Sequence, residues 1–562
     1  MTSCTAVKTA SAIEGRKQSM SEFNLLDEQW IRVMTEEYKT EEISLSQALL
    51  HADRYIGLRG ELEAQNTAIL RMMLGLLYDV FSEVDGDGTP APFEDPDDAQ
   101  DRWEELWNRG SYPEEPLEEY FRKYHDRFWL FDEKFPFYQV PDAKIGTHNL
   151  AAKLIGSIGE SNNKVRMFAE RGGEHKEKLS FSEAARWLLY INGFDDTAAK
   201  PKGKGLPSPG AGWLGKLGLI EALGSNLFET LMLNLVFLRP DGELWDQTDR
   251  KAGKCAAWEL AVPRSAERVQ IPQPTHFGQL MTLQSRRILL EREGDSVIGY
   301  WLLGGDFFER ENALCEPMTL WRVTEDKGRK TITPRRHNPA RQIWREFGSI
   351  TETAAGNERP GVVAWTSRLV HDHSLSENAQ IRFRIVSVQY GDKDFFVTDE
   401  YADTIAMYSS ILTEAGNAWR RRIEDDIVRC DQCAKLVYGL SIRLQKAAGA
   451  SGDLTGAAAT QRFYAMIDPL FRRWLMNLDP KNCTTDYEQE LFEEVEQTAF
   501  RLGRDLVREA GPAAVHGRIV KEKMPGGAQE KENFYWAPGE EVTFRAGIRK
   551  ICNGGALNEQ SR

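Results

Sequence analysis

Ile381-Arg382-Phe383-Arg384-Ile385-Val386-Ser387-Val388, followed by Gly391-Asp392-Lys393-Asp394 and then Phe395-Phe396-Val397, is the stretch on which the fold class turns. Apolar side chains fall on alternate positions of 381–388, the period of a strand with one buried face. The glycine-led polar tetrapeptide carries turn chemistry, and the aromatic and β-branched residues behind it suit a returning strand, so a hairpin is predicted. From about Thr398 the spacing changes. Ile405, Tyr408, Ile411, Leu412, Trp419, Ile423, Ile427, Cys430 and Val437 recur at helical intervals and predict one long helix. Phe463, Met466, Ile467, Leu470, Phe471, Trp474 and Leu475 mark a second. A capping box at Thr485 and Glu488 opens a third, carried by Leu491, Phe492, Val495, Phe500 and Leu506, and Val542 to Ile551 forms a short fourth. The predicted class is therefore α+β: a large mixed N-terminal domain, 23–398, followed by a C-terminal four-helix bundle, 399–562.

Working back from the hairpin, residues 270–325 read as strands, notably Arg286 to Glu291 and Val297 to Leu303. Leu227 to Leu238 is apolar enough for a buried helix. Glu61 to Phe81 carries apolar residues at helical spacing and predicts an amphipathic helix. The run Phe128 to Val140 is too aromatic to be solvated and belongs in the core. Residues 83–117 are rich in Asp, Glu, Pro and Gly, a solvated insertion with a short helix near Trp103 and Trp107. Residues 1–22 are Ser/Thr/Lys-rich without the apolar core of a signal peptide; they are expected to be a disordered tail, with Met20 a candidate start.

Two polar arms flank a predicted helix over Phe181 to Asn192. The first, Ser161 to Gly173, carries Phe168, Ala169, Glu170 and Arg171; the second, Lys200 to Pro207, carries Lys202, Gly203, Lys204 and Gly205. Glycine lets backbone approach a ligand, clustered N–H groups suit phosphate, and neighbouring Lys or Arg supplies charge. Phe168, an apolar ring on a polar loop, suits stacking on a base or wedging into another chain. The plain alternative is that both are ordinary surface loops.

Charge bounds the partners. A formal net charge of -15 argues against a protein that coats nucleic acid indiscriminately, yet leaves room for local basic grooves. No apolar run is long enough to span a bilayer. Seven cysteines without a framework pattern fit a reducing cytoplasm.

Catalytic signatures are scarce. Lys202-Gly203-Lys204-Gly205 lacks the rest of a nucleotide phosphate loop, and neither G-x-S-x-G nor H-E-x-x-H occurs. Cys430 and Cys433 form a lone C-x-x-C, which reads as two thiols on a buried helix face rather than zinc ligands. His371-Asp372-His373 is the one metal-like motif and would suit a metal-dependent phosphohydrolase if other elements supplied more ligands. Arg420-Arg421-Arg422 and Arg472-Arg473 read as a solvated face, with a phosphate-tracking groove as the alternative.

Several stretches together resemble the CasA family, the large subunit of the type I-E CRISPR surveillance complex Cascade. They are Phe23-Asn24-Leu25-Leu26, Trp30-Ile31-Arg32-Val33, Phe135-Pro136-Phe137-Tyr138-Gln139, Gly210-Ala211-Gly212-Trp213, Leu231 to Leu235, Thr282-Leu283-Gln284-Ser285-Arg286-Arg287, Glu316-Pro317-Met318-Thr319-Leu320-Trp321-Arg322 and His337-Asn338-Pro339-Ala340-Arg341. They stand in the family's order. The resemblance implies a non-enzymatic cytoplasmic subunit whose partners are crRNA, target double-stranded DNA, the other Cascade subunits and a helicase-nuclease, with no membrane association. Such a subunit reads the PAM, a short duplex motif, from the minor groove and helps open the duplex.

By position, the resemblance implies that Phe168, Ala169, Glu170 and Arg171 contact the crRNA handle and neighbouring subunits, that Lys202, Gly203, Lys204 and Gly205 face the PAM, and that Gly391, Asp392, Lys393 and Asp394 form a strand-separating wedge. The family's wedge commonly carries Gln, which this turn lacks. The paired cysteines that hold zinc in some members are missing from 285–320, so neither metal nor cofactor is predicted. The alternatives from other classes are a phosphohydrolase using His371, Asp372 and His373, and a scaffold that binds protein alone.

Overall fold

Glu63–Phe81 (α1) has every side chain from Ala64 to Phe81 buried, so the helix expected to be amphipathic is enclosed on all sides. Its polar members are tolerated because they meet partners: Arg71 pairs with both oxygens of Glu316 at 2.7 and 2.9 Å, and Thr67 donates to Glu221. The helix begins at Leu62, which offers no side-chain cap. Glu400, distant in sequence, accepts from the Ala64 N–H at 3.0 Å instead. The structure, a computed structural model, describes residues 22–160, 167–197, 208–245, 255–271, 274–308, 315–351, 358–483, 486–523 and 530–554.

Phe181–Phe194 (α2) opens on a Ser180/Glu183 capping box and packs its apolar length into the same core. Leu219–Leu223 (β1) follows, then Arg286–Glu293 (β2) and Ser296–Gly304 (β3), which pair antiparallel as the strand pattern predicts. Trp103 and Trp107 lie stacked on the helix Pro96–Arg109, their ring centroids 5.0 Å apart. Gly361–His371 (α3) leads to the hairpin Gln380–Tyr390 (β4) and Val397–Tyr408 (β5). β4 is the central strand of its sheet, with β5 on one side and β1 on the other.

The predicted hairpin therefore forms, but the predicted long helix from 398 does not begin there. Residues 397–408 are strand, and the first C-terminal helix starts at Asn417, after 3-10 turns over Ser409–Leu412 and Glu414–Gly416. Ile405, Tyr408, Ile411 and Leu412 match helical spacing by coincidence. Register decides otherwise: Ile405 and Met407 sit opposite Phe383 and Ile381 and bury against them.

Beyond this point the chain is mainly helical: Asn417–Ala448 (α4), Ala457–Asn477 (α5), Asp486–His516 (α6), then the hairpin Arg518–Lys523 (β6) and Glu530–Tyr535 (β7), then Ala537–Cys552 (α7). α4 packs on each of the other three helices. Its buried stripe of Ile423, Ile427, Cys430, Cys433, Val437 and Leu440 is the seam the periodicity predicts. Thr485, the expected cap of α6, lies outside the described residues. The β6–β7 hairpin joins α6 to α7. α5 docks this region onto the rest: Phe471 stacks on Trp344 at 4.2 Å, the Trp344 indole donates to Asp468 at 2.8 Å, and Arg472 pairs with Asp403 at 2.8 Å.

Candidate nucleic-acid interface

The hairpin closes where Tyr390 pairs with Val397, leaving 391–396 as its tip. Lys393, Asp394 and Phe396 all sit at left-handed φ, 56°, 57° and 57°. Such backbone costs non-glycine residues about 1–2 kcal/mol each and persists only where neighbours hold it. Arg336 supplies the hold. Its two terminal nitrogens donate to both carboxylate oxygens of Asp394 at 2.6 and 2.9 Å, and its Nε donates to the Gly215 carbonyl at 2.6 Å. Its guanidinium also lies 4.8 Å from the centre of the Tyr390 ring. Tyr390 in turn donates to the Phe194 carbonyl at 2.7 Å, and burial pushes its hydroxyl well above the usual range. Gly215 is obligatory here, since a Cβ would lie 1.9 Å from the Tyr390 hydroxyl oxygen.

This clamp divides the tip. Asp394 turns inward as the partner of Arg336, whereas Asp392 and Lys393 are exposed and Phe395 is 43% exposed. The groups of the tetrapeptide available to an outside partner are thus Asp392 and Lys393, joined by the neighbouring Phe395 ring.

Lys202, Gly203, Lys204 and Gly205 lie outside the described residues, but the stem of their arm is described on both sides. On the near side, Thr197 donates from its hydroxyl to the Lys393 carbonyl at 2.8 Å and from its N–H to the Asp394 carbonyl at 3.0 Å. The arm therefore leaves the body at the hairpin tip. Arg286, buried on β2, gathers both ends of the stem: it donates to the Asp195, Asp196 and Gly210 carbonyls at 3.2, 2.9 and 2.7 Å while pairing with the Asp195 carboxylate. The Gly212 N–H closes the base on the Asp195 carbonyl at 2.8 Å. Sequence reasoning missed Thr197, Arg286 and Arg336 as organisers of this site. The only signals were the Arg286-Arg287 pair and the basic run from Arg335.

The first arm is described from Met167. Met167 and Phe168 are 87% and 90% exposed, while Ala169 packs back against the core. Arg171 is held by Glu183 at 2.7 Å, and Lys176 by Glu160 at 2.7 Å. Behind Glu170 lies a cleft of about 400 Å³ that reaches Glu61, Glu63 and Glu400. Burial pushes the Glu400 carboxyl from an ordinary 4.5 up to about 7.

The remaining candidates fare differently. Cys430 and Cys433 are both buried on α4, as the helix-face reading expects, and Cys433 shares a hydrogen bond with Cys552; burial pushes the Cys430 thiol up. His371 ends α3, Asp372 lies 3.5 Å from Arg368, and His373 takes a left-handed φ of 64°. Among the described residues no group of three or more His, Cys, Asp or Glu side chains gathers as a metal site. The phosphohydrolase reading thus lacks the further ligands it requires. No helix among the described residues is long and apolar enough to cross a membrane.

The family model for CRISPR-associated protein Cse1 matches residues 24–506. The chain belongs to the Cse1 family. A curated relative, CRISPR-associated protein CasA/Cse1 of Thermus thermophilus, is 27% identical over 342 residues, 60% of this chain and 62% of the relative, so the match spans less than two thirds of that protein's length. Among solved structures, Cse1 of Thermobifida fusca superposes with a TM-score of 0.80 at 27% identity, covering 95% of this chain and 99% of that one. Cse1 of Acidimicrobium ferrooxidans gives 0.73 at 22%, covering 94% and 98%, which extends the likeness of fold. A structure described as a CRISPR RNA-guided surveillance complex shares the fold at a TM-score of 0.66 and 16% identity, covering 94% and 99%. The Cse1 fold thus extends over nearly the whole chain.

Proposed function

We infer that this chain is the non-enzymatic large subunit of a type I-E Cascade, which recognises the PAM in double-stranded DNA, helps open the duplex and recruits the helicase-nuclease. The observation that carries this reading is the junction of Thr197 with Lys393 and Asp394, which sets the stem of the Lys202–Gly205 arm against the hairpin tip. A loop able to read a short motif and a rigid tip able to part the next base pair must lie side by side, because opening begins where recognition ends. The arm's glycines and lysines suit the narrow, chemically degenerate minor groove. The tip's rigidity suits a part that must displace a base pair without yielding. Phe168 and Arg171, on the other arm, serve the crRNA handle and neighbouring subunits.

The test uses the assembled complex. Lys202→Ala with Lys204→Ala should weaken binding to PAM-bearing duplex about tenfold or more while leaving complex assembly intact. Lys393→Gly with Asp394→Gly should slow strand opening, read by a fluorescent base beside the PAM, more than it weakens initial duplex binding. Unchanged duplex affinity in the lysine pair would favour a protein-only scaffold; equal loss of binding and opening in the glycine pair would remove the wedge.

A further inference from the structure

Two sequence features left unused by the nucleic-acid reading, His371-Asp372 and Arg420-Arg421, line one cavity of about 780 Å³ between α3 and the first turn of α4. Arg359 and Arg368 line it too, so that among the described lining residues four arginines face two acids, Asp372 and Glu414. In a chain whose formal net charge is -15, such a cationic hollow departs from the surrounding balance.

Its construction points the same way. Arg420 is buried and fixes the floor, donating to the Ile411 and Thr413 carbonyls and to Asn417, which joins the 3-10 turns to α4. Ser367 donates to the Leu412 carbonyl at 2.8 Å and ties α3 to the same floor. Arg368 is oriented by Gln100 at 2.9 Å and Asp372 at 3.5 Å. Arg421, on the rim, makes no ion pair with any described residue. The N-cap of α4, Gly416, offers no side chain, no acidic residue stands in the first turn, and arginines there oppose the helix dipole. An anion in the cavity would reverse that penalty, accept from the Arg421 guanidinium on the rim and meet the side-chain amide of Asn417, whose oxygen is already taken by Arg420.

We propose that this cavity is a binding site for phosphate esters, either a free nucleoside polyphosphate or the backbone of a nucleic-acid strand. Planar guanidinium forks beside a helix N-terminus match the several oxygens of a phosphate group better than the single plane of a carboxylate. The volume is that of sites that enclose a small ligand rather than a lone ion. The proposal is independent of the arm and hairpin, which lie on other elements.

The test is direct binding to the purified full-length chain carrying Lys202→Ala and Lys204→Ala, so that the arm contributes nothing. The probes are pyrophosphate, ATP, a short fluorescein-labelled oligodeoxynucleotide and a Glu-rich peptide. Saturable binding of at least one phosphate probe is expected, weakened about tenfold or more by Arg421→Glu and by Arg359→Gln with the melting temperature held, and unaffected by Arg473→Glu on the exposed face of α5. Displacement of the oligonucleotide by ATP would assign a free nucleotide as the tighter ligand; binding of the oligonucleotide alone would assign a strand. Absence of any phosphate binding, binding of the peptide alone, or phosphate binding indifferent to Arg421→Glu and Arg359→Gln would overturn the proposal.

Discussion

The two halves of the molecule use charge in opposite ways. In the N-terminal half, arginines are drawn inside: Arg71 with Glu316, Arg286 with Asp195 and Arg287 with Asp306 are all ion pairs with both partners buried. In the C-terminal helices the pairs lie mostly outside, as with Arg462 and Glu509 or Arg473 and Glu494. A buried pair adds little net stability, since desolvation offsets most of the attraction, but it fixes geometry because neither partner can move without leaving a naked charge. Exposed pairs fix nothing and contribute roughly 0–1 kcal/mol. The half that must position loops is therefore pinned by buried arginines, while the helical half is held by its apolar seam.

The comparison breaks most readily at Arg286. Arg286→Ala strands the buried Asp195 carboxylate and releases both ends of the arm, and should destabilise the fold by about 3–5 kcal/mol in denaturant unfolding. Pairing it with Asp195→Leu should recover a good part of that stability but not PAM-dependent binding, which would separate fold from positioning.

A second test uses Glu400, the borrowed cap of α1. Its folded carboxyl titrates at about 7 against an ordinary 4.5, so the native state holds the proton more tightly than the unfolded chain does. The stability this gives is present below about pH 4.5 and is lost as pH rises through 7. Glu400→Gln should therefore gain about 1–2 kcal/mol over the parent at pH 8, allowing for partial exposure, and differ little near pH 4.5. A gain independent of pH would sever the effect from titration.

Arg336→Ala comes next. The pair with Asp394 is partly exposed, so about 1 kcal/mol of stability is expected to go. Duplex opening by the complex should suffer more than that figure suggests, because three strained residues lose their hold. The smallest effect belongs to Arg473→Ala, under about 0.5 kcal/mol. A loss there as large as at Arg336 would collapse the contrast between the halves.

The same contrast explains what the sequence made legible. Patterns that are local came through: the strand 381–388 and its turn, the buried stripe of α4, the aromatic run over 128–140. The β5 strand was misread because Ile405 and Tyr408 fall at helical spacing with Ile411 and Leu412 of the following 3-10 turn, while the pairing that makes 397–408 strand lies across the sheet on β4. The β6–β7 hairpin escaped because its outward residues include Ile519 and Phe534, both exposed, so no face reads as buried. The hairpin tip was found as a turn by composition. The anchoring of the tip and of the arm stem was not, since Arg286 meets Asp195, and Arg336 meets Asp394, only after the chain has folded. Long-range ion pairs between common residue types leave no local spacing to detect.

One guanidinium gathers the Asp195, Asp196 and Gly210 carbonyls, so the two ends are fixed by the body and not by the sequence between them. A change of length between fixed ends is cheap, since doubling a loop adds only about 0.6 kcal/mol of closure entropy. On the proposed reading, exchange of residues 198–207 alone, with Arg286 and Asp195 untouched, should change which duplex motif the assembled complex prefers while leaving its thermal stability unchanged.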